Sequence, residues 1–579
     1  MSSRRGVWAF VLIISLVGAA VFSAALALRG PRPRPAAPAV LVWDVPSTLV
    51  EGEPPHRLFG YGWFRRSHPT VFDAVRTLDR AATDDHVKAL VLHIDGLDWG
   101  WAKLSEVRDA IARVRRFGKP VYAVVEGGGD AEYFLASAAD LVAVPPASVL
   151  WLDGLAASAM FYKGTLDKLD IHANYAHAGK FKSAAEAYTR TDMSEPAREA
   201  LTSLLDDLFS VLVDSLAVSR HLEADSVRRL IDEGPFPAAV ARAAGLVDTV
   251  AYAEQIDSLA IDATGDDLET MSFTRYNSRA PWGDSHVAYV SAVGTISSGS
   301  SRYEPMGGAI LGAETLCETL RDLRDDHSIK AVVLRIDSPG GETQASDEIW
   351  HAVDALNARK PVIVSMSDLA ASGGYYIAAA ATRIVAQPGT LTGSIGVFGG
   401  KLNLLGLYQK LGLNVETVSR GRNAQMLSSV RDFDEAEGAH FQAQIDSSYQ
   451  LFLRRVSAGR SLSLIDADSV ARGRVWSGEA ARTRGLVDTL GGIRTACRIA
   501  LARAGSPLDH PLNVEEYPRA GHTFMDRLLE TWMRDEDSES SEAALMARSF
   551  TPVMRAWLTA ATFPAGRVLA VLPWSITIR

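Results

Sequence analysis

Apolar residues along this chain alternate between two periods, and the alternation itself occurs twice. Thr70–Ala81 carries its apolar positions at helical spacing, and Ala89–Ile94 is then a continuous apolar run of strand length. Leu104–Arg116 predicts an amphipathic helix. After Lys119-Pro120, Val121–Val125 predicts a second buried strand, Glu132–Ala139 an alanine-rich helix and Leu141–Val144 a third strand. The same series returns as Leu316–Leu323, Ala331–Ile336, Asp347–Ala358, Val362–Ser365, Ser372–Ala381 and Arg383–Ala386. Long helical patterns, Glu195–Leu216 and Glu435–Val456, close the two series. Strand and helix alternating in this way predict parallel βαβ units and an α/β fold.

The repetition extends to identities. Leu92-His93-Ile94-Asp95 matches Leu334-Arg335-Ile336-Asp337, Lys119-Pro120 matches Lys360-Pro361, Tyr133 matches Tyr375, and Gly-Leu-Val-Asp-Thr stands at 245–249 and 485–489. All four anchors fall within two residues of one offset, 242. That period is too long for a solenoid and fits two homologous domains in a chain of 579 residues. The division expected is 1–29, membrane anchor; 30–69, lead-in; 70–256, first repeat; 257–284, a linker rich in Asp, Thr, Ser and Gly; 285–505, second repeat; and 506–579, a C-terminal extension. That extension holds an acidic run, Arg534–Glu542, expected as a solvated loop. It ends in an apolar segment, Val568–Ile578, too short for a membrane span and expected as a docked strand or assembly surface.

Composition changes this picture little: 22% charged and 47% hydrophobic residues are ordinary for a globular protein. A net charge of −10, with no long basic run beyond the N-terminus, argues against a nucleic-acid partner. Cys317 and Cys497 supply neither a disulfide framework nor a metal site and are expected as thiols. The N-terminus is different. Val7–Leu28 has no charge and follows Arg4 and Arg5. At ~1.5 Å per residue it spans a bilayer core of ~30 Å, with the bulk of the chain outside the cytoplasm. Arg29, Arg32 and Arg34 on the far side pull against that orientation. Ala25-Leu26-Ala27 offers the rival reading of a cleaved signal peptide. Either way the chain is exported or membrane-tethered, and the location expected is the inner membrane, single-pass, with the folded domains extracytoplasmic.

The chemistry is split between the repeats. Ser372, in Ala371-Ser-Gly-Gly-Tyr-Tyr376, follows a strand and opens a helix, where free backbone N–H groups favour a developing negative charge. An N-cap is the plainer role for such a serine. Ser338-Pro339-Gly340-Gly341, after a buried strand, offers a candidate oxyanion turn with Gly373 as second donor, or simply a tight turn. The first repeat has Asp95-Gly96-Leu97-Asp98 at the turn and Asp130 near the serine position, so it lacks both. A serine nucleophile needs a base. The candidates are His177 and Lys182, after an expected strand Asn174–Ala178. A lysine serves if burial lowers its pKa. The second repeat has Gly421-Arg-Asn-Ala424 at the matching place and no lysine.

Ala371-Ser-Gly-Gly-Tyr375, Leu391-Thr-Gly-Ser-Ile-Gly396, Ser338-Pro-Gly-Gly341 and Gly179-Lys-Phe-Lys-Ser-Ala184 together resemble the signal peptide peptidase A family in its long two-repeat form, within the Clp-protease/crotonase superfamily. The resemblance covers Thr70 to Ala504 and the N-terminal anchor. It implies two tandem Clp-protease/crotonase-like domains and a membrane-tethered Ser/Lys endopeptidase that degrades cleaved signal peptides and other extended apolar peptides. Ser372 would be the nucleophile, Lys182 the base, and Ser394 the residue orienting the lysine. Gly340 and Gly373, with Gly341 in the same turn, would serve the oxyanion. No metal or cofactor is implied, and the partners are peptides, the membrane and further copies in a ring, a tetramer. This chain departs from the family in Ala187 after Glu186, where a proline is usual, and in Asp337, where asparagine is usual. Asp337 is expected to point away from the turn, and Lys180 is a neighbouring rival to Lys182. A crotonase-like acyl-CoA hydrolase and a non-catalytic membrane scaffold are the alternative functions.

Overall fold

The fold is described from a computed structural model for residues 38–52, 69–265, 268–277, 285–304, 308–506, 512–517, 568–571 and 577–578. The apolar segment 7–28 and the acidic run 534–542 lie outside the described residues. Among those residues no helix is long and apolar enough to cross a membrane.

Each repeat builds its own sheet, parallel throughout in the first and parallel in the second except for the antiparallel edge strand Val475–Ser477. In the first, the order is Glu269–Ser272, Ala39–Asp44, Val87–Asp95, Val121–Gly127, Leu141–Val144 and Thr249–Val250. In the second, Val475–Ser477, Leu391–Gly393, Val362–Ala371, Ala331–Ser338, Val287–Val293 and Glu515–Tyr517 follow one another, with Arg383–Ala386 beside Val362–Ala371. The strands read as uninterrupted apolar runs because helices cover both faces: Val332, Val333 and Leu334 have no exposed surface, nor do Leu90, Val91 and Leu92. The shared tyrosine does the same work twice. Tyr133 donates to the carbonyl of Leu246 at 2.5 Å and Tyr375 to that of Leu486 at 2.9 Å, tying each short helix to the Gly-Leu-Val-Asp-Thr turn of its repeat.

Two expectations about domain limits change. Residues 257–277 are not a linker: the helix Ala253–Ala263 runs through the start of that stretch, and Glu269–Ser272 pairs in parallel with Ala39–Val42 as an edge strand of the first sheet. Its polar sequence hides the strand because three of its four side chains are exposed. The lead-in likewise contributes Ala39–Asp44, which is flanked on both sides. The alanine-rich helix after Ser372 is shorter than its composition suggests, Gly373–Ala378.

A third sheet joins the repeats. Its order is Arg302–Glu304, Gly308–Gly312, Thr295–Ser297, Gly340–Glu342, Val568–Val571, Val397–Asn403 and His172–Ala178. The last pair crosses between repeats: Val397 stands opposite Ala178 and Asn403 opposite His172, in an unbroken antiparallel register. This pairing carries the end of the first repeat's strand, and the turn after it, to the second repeat's serine.

Candidate active site

Val362–Ala371 runs buried to its end, and the chain turns sharply at Ser372 before entering the helix Gly373–Ala378. Ser372 has φ 56° and ψ −113°, a conformation L-residues rarely adopt. It is held there from both sides, by its own N–H to the Gly393 carbonyl and by the Tyr376 N–H to its carbonyl, each 2.8 Å. Strain retained at one polar residue, at the carboxyl end of a parallel sheet, points to function rather than to capping. Gly373 is the first residue of the helix, so its amide has no acceptor within the helix.

Lys182 lies in the turn after His172–Ala178 and is fully enclosed, at 1% exposure. Its Nζ is 2.8 Å from Ser372 Oγ, 3.0 Å from Ser394 Oγ and 3.2 Å from the Ser394 carbonyl. All three are neutral acceptors, and among the described residues no carboxylate is a hydrogen-bond partner of this amine. Burial without a counter-charge pushes the lysine pKa well below its ordinary value. Ser394, at φ 49°, also sits in the left-handed region.

Arg472–Arg474 fastens the lysine turn to the serine turns. The Arg472 carbonyl accepts from the Phe181 N–H at 2.8 Å, Gly473 donates to the Ile395 carbonyl at 2.8 Å, and the Arg474 carbonyl accepts from Ser394 at 2.7 Å. Gly473, at φ +79°, is required by contact as well as by dihedral: a Cβ there would lie 2.5 Å from the Lys182 amide nitrogen. The Arg474 guanidinium stacks on Phe181 and on Trp476.

The other candidates separate clearly. His177 is exposed and its Nδ1 lies 3.3 Å from the Gly179 carbonyl. Lys180 lies over the Phe181 ring on the outside of the turn. Gly340, at φ +95°, brings the turn against the helix start: a Cβ on it would stand 2.6 Å from the Gly373 amide nitrogen. The Gly340 N–H is directed to Ser338 Oγ at 3.1 Å, and that hydroxyl donates to the Gly294 carbonyl at 2.7 Å. Gly341 pairs with Ile296. Ala187, where a proline is usual, lies in a single helical turn, Glu186–Thr189, and its carbonyl accepts from the Tyr162 amide at 2.6 Å.

Sequence reasoning missed the support behind the turn. Asp337 does point away from the glycines, toward the first repeat. Its Oδ2 accepts from Lys103 Nζ at 3.0 Å and its Oδ1 from the Leu369 amide at 3.2 Å. Lys103 also reaches Asp368 at 3.3 Å, and Asp368 accepts from the amides of Ala102 and Lys103, the first turn of the helix Trp101–Arg116. Burial works against the Lys103 ammonium, but the surrounding carboxylates hold its pKa above the ordinary value. Behind this, Arg335 is fully buried between Glu51 at 2.8 Å and Glu106 at 2.7 Å. One arginine between two enclosed carboxylates leaves one of them under-compensated. Burial pushes Glu106 up to about 7. The only hint in the sequence was that Arg335 replaces His93 within an otherwise repeated strand.

Comparison with known proteins places the chain among the proteases. The model of peptidase family S49 matches twice, at residues 113–264 and 354–505, and a Clp protease model matches 311–389. "Serine protease SPPA, chloroplastic" of Arabidopsis thaliana is 35% identical over 460 residues, 78% of this chain and 68% of that protein. "Protease 4" of Salmonella typhi is 32% identical over 476 residues, 78% and 75% of the two chains. "Protease 4" of Haemophilus influenzae is 32% identical over 449 residues, 74% and 72%. The class is therefore that of serine proteases built from two tandem α/β repeats, with a Clp-protease likeness in the second. The chain belongs to peptidase family S49.

Proposed function

We propose that Ser372 and Lys182 form the catalytic dyad of this protease, assembled within one chain from its two repeats. The observation that carries this is the 2.8 Å approach of an enclosed lysine amine, without any carboxylate partner, to the Oγ of a backbone-strained serine. A neutral Lys182 accepts the Ser372 proton as Oγ bonds to a peptide carbonyl carbon. The Gly373 amide, which has no acceptor within its helix, and the Gly340 amide, once it leaves Ser338 Oγ, are the proposed donors to the resulting oxyanion, with Gly341 shaping the turn. The lysinium then protonates the leaving amine, and Lys182 next deprotonates the water that releases the acyl group. Ser394 Oγ keeps the amine aimed at Ser372 throughout.

The substrates proposed are extended apolar peptides, cleaved signal peptides among them. We place the chain on the inner membrane, anchored by residues 7–28 with its catalytic domains outside the cytoplasm, as a ring-shaped homotetramer. Support for self-association comes from the second repeat's counterpart of the lysine strand, offset by 242 from 172–178. Instead of pairing, that stretch (414–420) and the residues just before it are exposed, with Leu411, Leu413, Val415 and Val418 at 45% exposure or more. A second copy would cover it.

The test is hydrolysis of an unstructured apolar peptide by the full chain. Ser372→Ala and Lys182→Ala lose activity, whereas Lys180→Ala and His177→Ala keep it. Activity surviving Lys182→Ala would show that another group is the base. Retention in the membrane fraction after alkaline wash tests the anchor, and mass by light scattering in detergent tests the tetramer.

A further inference from the structure

The glycine turn at the active site is not a free edge. Val568–Val571 lies antiparallel to it, with Val571 opposite Gly340, Ala570 opposite Gly341 and Leu569 opposite Glu342. On its other side the same segment pairs with Val397–Asn403, Leu569 opposite Phe398 and Val568 opposite Gly399. A four-residue strand thus fills the slot between the turn beside the nucleophile and the strand that positions the lysine turn. Its carbonyls reach the reacting region: a Cβ on Gly340 would lie 2.0 Å from the Ala570 oxygen. Its side chains are seated too. Leu569, at 6% exposure, packs with Ala184, Ala185 and Phe398, with Tyr175 beside them, and Ala570 is fully buried. Ala184 and Ala185 follow Lys182 by two and three residues, so this pocket adjoins the base.

An added strand held by main-chain pairing, with alternate side chains in pockets, is how extended peptides dock on sheet edges. We propose that Val568–Val571 is an internal occupant of the peptide slot of the Ser372 site. A substrate strand binds only by displacing it. The Tyr175, Ala184, Ala185 and Phe398 pocket then receives the leucine-sized apolar side chain that Leu569 supplies at rest. The inference rests on the Ser372/Lys182 reading above. It assigns the C-terminal extension a role as a competing ligand whose release sets how much of the enzyme is open to substrate.

The experiment uses the full chain with Leu569→Asp, since a carboxylate does not stay in a dry apolar pocket. KM and kcat are measured on a leucine-containing apolar peptide, beside the rate at which a fluorophosphonate labels Ser372. If the slot is closed about nine-tenths of the time, Leu569→Asp lowers KM about tenfold with kcat unchanged and speeds labelling by a similar factor. Acetyl-Val-Leu-Ala-Val-amide inhibits the unaltered chain competitively, and acetyl-Val-Asp-Ala-Val-amide does not, a result independent of how the variant folds. Equal KM and equal labelling in both proteins, with no inhibition by the tetrapeptide, would overturn the proposal. Absence of Ser372 labelling in both proteins would instead refute the serine assignment on which it depends.

Discussion

Placing a negative charge beside Lys182 should silence the site by keeping the lysine protonated. Ser394 is the position to use. Its Oγ is 3.0 Å from Lys182 Nζ, and its left-handed backbone, φ 49°, is one that Asp and Asn tolerate better than most residues. A carboxylate at that separation, with an effective dielectric near 20, stabilises the ammonium by on the order of 5 kcal/mol, about four pKa units. The carboxylate is itself taken from water, which offsets part of that, so an upward shift of about two units is the expected minimum. On the ascending limb, below the pKa of the unaltered lysine, each unit removes about nine-tenths of the neutral amine, so kcat/KM for Ser394→Asp should fall there by about 100-fold or more. Ser394→Asn supplies a similar shape and a hydrogen-bond acceptor without the charge. The assay is the pH dependence of kcat/KM from pH 6 to 10 for the three proteins. The unaltered chain and Ser394→Asn should share an ascending limb well below the ordinary lysine pKa, and Ser394→Asp should have that limb displaced upward. Coincident profiles for the Asp and Asn variants would refute the reasoning, because the titrating group would then not be the lysine that Ser394 touches.

Gly473→Ala should reduce kcat by about 100-fold with little change in overall structure by circular dichroism, since its Cβ would meet Lys182 at 2.5–2.6 Å and tilt the base away from Ser372. Lys103→Met leaves Asp337 and Asp368 enclosed without their cation. It should cost about 3–5 kcal/mol by denaturant titration at pH 7.5 and lower kcat/KM through the disturbed Gly340 turn. Glu106 gives a pH dependence of defined sign. Its folded pKa, about 7, lies above the ordinary 4.5, so the folded state holds the proton more tightly. That stability is complete below about pH 4.5 and is lost as pH rises toward about 7, by a few kcal/mol in all. Unfolding measured at pH 5 and pH 8 should show the decline, and Glu106→Gln should flatten it.

What the sequence determined about this protein is whatever short-range pattern encodes. The duplication is legible because both copies keep the same anchors, down to the paired Tyr133 and Tyr375. The strands Leu141–Val144 and Arg383–Ala386 fall where their apolar runs place them, and the long helices after Ser194 and Asp434 begin at those N-cap residues. Ser372 stood out because a strand, a Gly-Gly pair and a helix follow one another locally. Glu269–Ser272 was illegible for the converse reason: an edge strand with exposed side chains has no apolar alternation to reveal it. The rest was decided between residues far apart in the chain. Beyond the family motif, no local physical pattern around Lys182 distinguishes it from Lys180. Only the pairing of His172–Ala178 with Val397–Asn403 buries one and leaves the other outside, and burial is what lowers the lysine pKa so that the neutral, proton-accepting amine is present. The same holds for Asp337, whose charge is answered by Lys103 from 234 residues away, and for Val568–Val571, whose place beside Gly340 no local pattern specifies. Hydrophobic period fixes which segments become strands and helices. Which strand lies beside which, and therefore which charges lose their water, is set by the packing of the whole chain.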